Sequence, residues 1–423
     1  MTETRLPIFS PFAALRPSPD HAADVAAPPY DVLSSAEARA MAEGRPWSFL
    51  HISKPEIDLP EGTDVHAPEV YAKGGENFTA MVKTGVLVRD LGPRYYVYRL
   101  TMGDHVQTGI AGAASVAAYE EGRIKKHEHT QPAKEDDRVR QIEAVNAHTG
   151  PVMITYRHSS GIDGIIDHHV TAGPPDVDIE GDAPASGVSV RHTLWVVSDP
   201  EAIAAITGAF DILDALYIAD GHHRSAAAAR VARARASKNP NPTGEESYNT
   251  FLAVAFPDTE VQILDYNRVV KDLNGQSKEE FLGAVYEHFD VEAVDGAFKP
   301  GCAGEFGMYL DGGWYKLSLI TGGPDVSPVD RLDINRLTVR LLAPILGIGD
   351  PRLDPRIGFV GGIRGLGELE RLVDDGQMAV AFSLFPTALS DLMDVADAGE
   401  VMPPKSTWFE PKLADGLLSL ALD

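Results

Sequence analysis

The segment Tyr217-Ile-Ala-Asp-Gly-His-His-Arg-Ser-Ala-Ala-Ala-Ala-Arg230 constrains the fold of this chain most. Apolar residues leading to Asp220 read as a strand, Gly221 as a sharp turn, and the alanine run with its arginines as the start of a helix. Any fold built on it sets a strand and a helix on either side of one glycine. The first amides of that helix point unsatisfied donors outward and carry partial positive charge, and Arg224 adds a fork that matches phosphate oxygens. Asp220, Gly221, His222, His223 and Arg224 are therefore the first candidate site, for a phosphate group.

The surrounding chain alternates both kinds of element. Residues 35–43 and 69–84 read as helices, the first behind a serine cap, and residues 94–101 and 105–111 as a hairpin. Residues 123–138 are a dense polar stretch with no apolar period, so they read as a loop entering a helix at 139–147. Buried strands are expected at 152–156, 194–197, 251–256, 261–264 and 378–385, helices at 200–209, 278–288 and 333–342, and a hairpin across Asp311-Gly-Gly. The fold class is α+β, or mixed α/β. At 423 residues the chain exceeds one ordinary core. The polar stretch 236–247, broken by Pro240 and Pro242, marks the expected boundary between regions 1–240 and 241–423.

Composition narrows the partners. With 44% hydrophobic and 23% charged residues the chain is expected to fold throughout. A net charge of −25 opposes binding to nucleic acid and to anionic membranes. The single cysteine, Cys302, excludes an internal disulfide framework and a Cys-rich zinc module, which suits a reducing compartment. The N-terminus lacks a secretory pattern and no apolar run spans a bilayer, so a cytoplasmic location is expected.

Two further constellations carry candidate chemistry. His127-Glu-His-Thr130 with Lys134-Glu-Asp-Asp-Arg138 offers Asp136 and Asp137 as hard oxygen ligands for Mg²⁺, and Lys134 and Arg138 as phosphate contacts. Met402-Pro-Pro-Lys-Ser-Thr407, followed by Lys412, resembles the end of a phosphate loop without its Gly-rich half, and Lys405, Ser406, Thr407 and Lys412 could close over a nucleotide. A zinc site at His127 and His129 lacks obvious supporting ligands. The glycines of residues 358–367 lack the strand and downstream acid of a dinucleotide fingerprint. Arg230, Arg233 and Arg235 read as a solvated helix face.

Ala27-Pro-Pro-Tyr-Asp31, Lys126-His-Glu-His-Thr130, Ala219-Asp-Gly-His-His-Arg224 and Met402-Pro-Pro-Lys-Ser-Thr407, in that order, resemble the bacterial domain-of-unknown-function family numbered ten-fifteen over nearly the whole chain. Asp220-Gly-His-His-Arg224 is similar to the phosphate box of the ParB and sulfiredoxin superfamily, closest to its free serine kinases, whose box reads Asp-Gly-His-x-Arg. The resemblance implies a ParB/sulfiredoxin-like core with large strand-rich elaborations. No thiol stands in the box, which removes sulfiredoxin chemistry. An acidic chain without a basic recognition helix does not resemble a DNA reader. The implied activity is a kinase using Mg²⁺ and ATP (or ADP) to phosphorylate free L-serine. The alternatives are a non-catalytic nucleotide-binding module and a metal-dependent hydrolase. In the kinase, Gly221, His222, His223 and Arg224 hold phosphate, Asp220 binds Mg²⁺ or orients the hydroxyl, Glu128 is the base ahead of Glu121 and Asp136, and Lys405 and Lys412 clamp the phosphates. Asp220→Asn and Arg224→Ala are both expected to abolish turnover while leaving the melting temperature nearly unchanged.

Overall fold

A computed structural model describes residues 7–181, 187–320 and 327–422. The chain forms two compact units, one of residues 1–261 with 411–423 and one of residues 262–410. The division falls at Val261 rather than at 240/241. Residues 236–247 lie inside the first unit, between its last long helix and a central strand. Local polarity there marks an exposed connection, whereas unit membership follows sheet pairing that polarity does not report.

The first unit is built on a nine-stranded mixed sheet. Its strands are β1 (Phe9–Ser10), β2 (Tyr95–Met102), β3 (His105–Ser115), β4 (Ile124–Lys125), β5 (Val152–Tyr156), β6 (Val177–Gly181), β7 (Val190–Val197), β8 (Leu216–Asp220) and β9 (Thr250–Pro257). They lie in the order β4-β8-β5-β9-β3-β2-β7-β6, with β1 also paired to β3. β4 runs parallel to β8 and β5 parallel to β9, and the remaining neighbours are antiparallel. All five residues of β5 and seven of the eight in β9 are buried, as their unbroken apolar runs require at the sheet centre.

Six helices of this unit are α1 (Ser35–Ala42), α2 (Pro68–Lys83), α3 (Pro132–Val145), α4 (Ser160–Ala172), α5 (Pro200–Asp211) and α6 (His222–Ala236). Ser34 and Glu37 close a full capping box on α1, as the serine signal anticipates. α3 corrects the sequence reading, since it begins at Pro132 and carries Lys134, Asp136, Asp137 and Arg138 on a helix rather than a loop. Proline in the first turn presets φ and Glu135 favours the positive helix end, both signals that an apolar-period test cannot see. Beyond Arg224, the remaining three arginines of α6 each pair with an acid: Arg230 with Glu135 and Asp136, Arg233 with Glu120 and Arg235 with Glu143.

The second unit holds a six-stranded antiparallel sheet of β10 (Tyr266–Val270), β11 (Phe289–Val294), β12 (Glu305–Leu310), β13 (Gly313–Leu319), β14 (Ile357–Gly361) and β15 (Val380–Leu384). Their order is β11-β13-β12-β15-β10-β14. Val270, Phe281, Phe306, Leu317, Leu341 and Phe382 belong to its core. The glycine run at 358–367 does sit on a strand, β14, paired antiparallel to β10. That edge strand ends at Gly361, and a 3-10 turn at Gly362–Arg364 separates it from the helix that Gly367 begins, Gly367–Asp374.

Candidate functional site

β8 ends at Asp220, and Gly221 adopts φ +96° before α6 begins at His222. A Cβ on Gly221 would lie 3.3 Å from the Val152 Cα of β5, so both conformation and space call for glycine. No side chain caps α6. The Asp220 carboxylate instead accepts the Gly221 N–H at 2.8 Å, on the strand side of the turn. The Arg224 N–H is likewise spent, donating to the Gly221 carbonyl at 2.9 Å, whereas the helix start at His222, without a side-chain cap, keeps its partial positive charge. Gly221→Ala is expected to cost about 1–3 kcal/mol from the left-handed backbone alone, read as a fall in the denaturant midpoint. An unchanged midpoint would show that the turn can relax.

Charged groups surround this turn. Lys412, from the C-terminal segment, donates to Asp220 Oδ2 at 2.8 Å, and 40% of the Asp220 side chain remains open to solvent. Burial pushes the Asp220 carboxyl up, but Lys412 and then Arg224 outweigh it and hold it well below the carboxylate range. His222 is only 3% exposed, and its ring meets that of His127 edge-on at 4.4 Å. Burial and the neighbouring His127 push His222 well down, and burial lowers His127 to about 4, so both rings are neutral near pH 7. The His127 amide faces His222 Nε2 at 3.5 Å, which assigns the ring proton to Nδ1, 3.8 Å from Glu128 Oε2. Glu128 is 45% exposed beside this pair. His223 turns aside and accepts the Gln131 N–H at 3.1 Å.

Arg224 points inward, away from the phosphate contact its sequence position suggests. Its Nη1 donates to the Pro151 carbonyl at 2.8 Å, its Nη2 stands 3.6 Å from Asp31 Oδ1, and its guanidinium lies 5.4 Å from the Tyr30 ring centre. Arg138 covers the same ring at 3.7 Å. Tyr30 and Asp31 thus surround Arg224, a neighbourhood that residue-level reasoning passed over. Ala27-Pro-Pro-Tyr-Asp31 was visible as a motif, but nothing in a proline-rich stretch says that its Tyr30 and Asp31 lie against an arginine as distant in sequence as Arg224.

Other candidates are engaged elsewhere. Asp136 pairs with Arg230 at 2.6 Å, and Asp137 accepts from Arg138 at 2.8 Å and from Tyr71 at 2.7 Å. Lys134 stands exposed on α3. Lys405, Ser406 and Thr407 belong to the second unit. There Lys405 has φ +58° and its carbonyl accepts from the buried Arg268, while the Ser406 hydroxyl bonds the Pro403 carbonyl. The loop carbonyls of Lys405 and Ser406 are thus taken up by the side chains of Arg268 and Thr387. Among the described residues no group of three or more His, Cys, Asp or Glu is placed to hold a metal ion. His127 is buried and His129 exposed. Mg²⁺ accompanying a nucleotide keeps waters and phosphate oxygens and needs only one or two carboxylates, and the open face of Asp220 fits that smaller demand.

Comparison with known proteins adds a family. The sequence pattern described as "Protein of unknown function (DUF1015)" matches residues 9–335. No curated protein matches the chain. Among solved structures it is similar to a free serine kinase in complex with AMP, at 12% identity and a TM-score of 0.33, covering 72% of this chain and 91% of that one. It is also similar to a mutant free serine kinase in complex with ADP, at 12% identity, TM-score 0.34 and coverages of 74% and 94%. SbnI with a C-terminal truncation, from Staphylococcus aureus, gives 12% identity, TM-score 0.36 and coverages of 74% and 88%. Scores this low carry no activity across to this chain. Among the described residues no helix is long and apolar enough to cross a membrane.

Proposed function

Because the chain belongs to the family described as Protein of unknown function (DUF1015), its activity is read from the turn itself, and we propose that it is a nucleotide-dependent small-molecule kinase transferring a phosphoryl group from ATP to free L-serine. One observation carries the reading. The start of α6, without a side-chain cap, stands beside a paired Lys412 and a solvent-open Glu128, so phosphate donors, a cation and a carboxylate surround one turn.

In this proposal the nucleotide phosphates meet the first amides of α6, and Lys412, held by Asp220, neutralises them. The serine Oγ attacks the terminal phosphorus, the bond to the bridging oxygen breaks, and ADP leaves. Glu128 takes the hydroxyl proton. Mg²⁺ held by the phosphates and Asp220 would supply further charge neutralisation. His222, neutral and buried, sets the position of Glu128 rather than adding charge. Arg224 contributes its field from within and fixes Asp31 and Tyr30.

Incubation of the purified protein with ATP, Mg²⁺ and a panel of amino acids is expected to release ADP in a serine-dependent manner. Glu128→Gln is expected to lower kcat by about 10²–10⁴-fold with nucleotide affinity retained. Full activity in Glu128→Gln removes Glu128 as the base. Bound nucleotide without ADP release under any acceptor would make the protein a binding module instead.

A further inference from the structure

Arg268, on β10 of the second unit, is a buried cation without an acid. It is 2% exposed, and its Nη2 donates to the carbonyls of Lys405 at 2.9 Å and Pro404 at 3.4 Å, while Nη1 reaches the Tyr266 carbonyl. The rings of Phe359 and Tyr266 flank the guanidinium at 5.0 and 5.7 Å. Burial lowers Arg268 to about 10 against the opposing pull of the Tyr266 hydroxyl, and among the described residues no carboxylate acts on it. The side chain therefore keeps its charge at pH 7, and carbonyl dipoles and ring faces do not cancel it.

The loop that Arg268 holds, residues 403–407, spends its acceptors inward. Besides Pro404 and Lys405, the Pro403 carbonyl accepts from the Ser406 hydroxyl at 2.5 Å and the Ser406 carbonyl from Thr387 at 2.9 Å. Among the described residues the amides of Lys405 and Thr407, by contrast, donate no backbone hydrogen bond. Lys405 stands at φ +58°, and the other described non-glycine residues at positive φ are Asn146, Asn274 and Asp311, types that tolerate it. A lysine there is strained, and such strain collects where a ligand uses the conformation. Its exposed side chain sets the ammonium 5.8 Å from the centre of the same Tyr266 ring, with no acid paired to it among the described residues.

Two cations against one ring, with no acid beside them, repel each other, and a bound anion offsets that repulsion. A carboxylate brings one negative charge. A phosphate monoester brings about −1.5 to −2 at pH 7, with three acceptor oxygens for the ammonium and the two amides. We infer that residues 403–407 form a binding site for the phosphate group of a phosphate monoester, with Lys405 on the ligand and Arg268 supplying charge from beneath. The site lies within the second unit and needs neither turnover nor the kinase reading.

Hydrogen exchange of the full-length protein, followed by mass spectrometry on peptides spanning residues 402–410, reads this loop apart from the turn at Gly221. Inorganic phosphate, AMP, O-phospho-L-serine and acetate are the probes. Saturating phosphate probes are expected to slow exchange at Lys405 and Thr407 by about 10-fold, and acetate to leave it unchanged. Slowing by AMP but not by O-phospho-L-serine assigns the site to a nucleotide, and the converse assigns it to a phosphorylated amino acid. Lys405→Gly separates binding from folding, because glycine accepts φ +58° and only the ammonium is lost. This variant is expected to melt no lower than the parent protein and to bind phosphate about 10-fold more weakly, whereas Lys405→Arg retains binding. Binding of inorganic phosphate should strengthen as pH rises from about 5.5 to 7.5 and its second proton leaves, and Arg268→Gln should flatten that rise. No slowing at Lys405 and Thr407 with any phosphate probe overturns the inference, as does equal slowing by acetate or an affinity unchanged in Lys405→Gly. Slowing here without serine-dependent ADP release would sink the kinase and leave this site standing. Serine-dependent ADP release with no slowing here would do the reverse.

Discussion

Acidification from pH 7 to pH 4.5 is expected to unfold the first unit. His127, His148 and His192 are each lowered to about 4, with burial the leading cause in every case. A histidine whose folded pKa lies below its unfolded value binds fewer protons in the native state. Its contribution is fully present above about pH 6.5 and is lost as pH falls toward 4. Each is worth on the order of 3 kcal/mol across that window, and His222 acts in the same direction. Asp415 opposes them. Its pKa is raised from 3.8 to about 7, so the native state binds the extra proton and gains on the order of 4 kcal/mol as pH falls through the same range. The histidines prevail, and the net loss of roughly 6 kcal/mol or more is comparable with the whole stability of a domain. Denaturant midpoints followed by circular dichroism at pH 7.5, 6, 5 and 4.5 measure this. A midpoint that holds steady to pH 4.5 would falsify the assignment of these rings as buried and neutral.

Asp220→Asn is expected to lower turnover by at least about 10³-fold under the proposed function. The substitution keeps the shape and an oxygen for the Gly221 N–H but removes the charge that holds Lys412 at 2.8 Å. Because the Asp220 side chain is 40% exposed, water screens much of the pair and the melting temperature should change little. Lys412→Met should give a comparable loss of rate. Steady-state ADP release with each variant, beside a melting curve, is the measurement. Retained turnover in both variants removes this turn from the chemistry. Arg224→Ala is a poorer probe than its place in the sequence suggests. Its guanidinium is 16% exposed and lies against Asp31, so truncation removes a buried cation from beside two carboxylates. A stability loss of about 3–5 kcal/mol is the expected result, not an unchanged melting temperature.

The elements that could be read from sequence are those whose signals are local. Tyr217–Ala219 as strand, Gly221 as turn and the alanine run as helix all depend on neighbours within a few residues, and all appear in the fold. The capping box at Ser34 is local in the same way. The start of α3 was not legible as periodicity. Its first turn is polar and exposed, and proline and acidic preference set its beginning. Asp136 and Asp137 looked like available metal ligands because a sequence does not show that Arg230 and Arg138 reach them.

What the residues determined alone is the character of one turn. A glycine with φ +96° between a strand and a helix exposes backbone donors wherever it is placed, and the amino acids beside it specify a charged surrounding. Tertiary structure decided which charges face that turn and which are consumed. It carried Lys412 to Asp220 across 192 residues and turned Arg224 inward to Asp31 and Tyr30. It also buried Asp415 within the field of Arg224 and Arg138. The physical reason is range. Turn and helix propensities act over a few bonds, whereas pairing and desolvation of charge depend on which distant segments the packed sheet brings within a few ångströms.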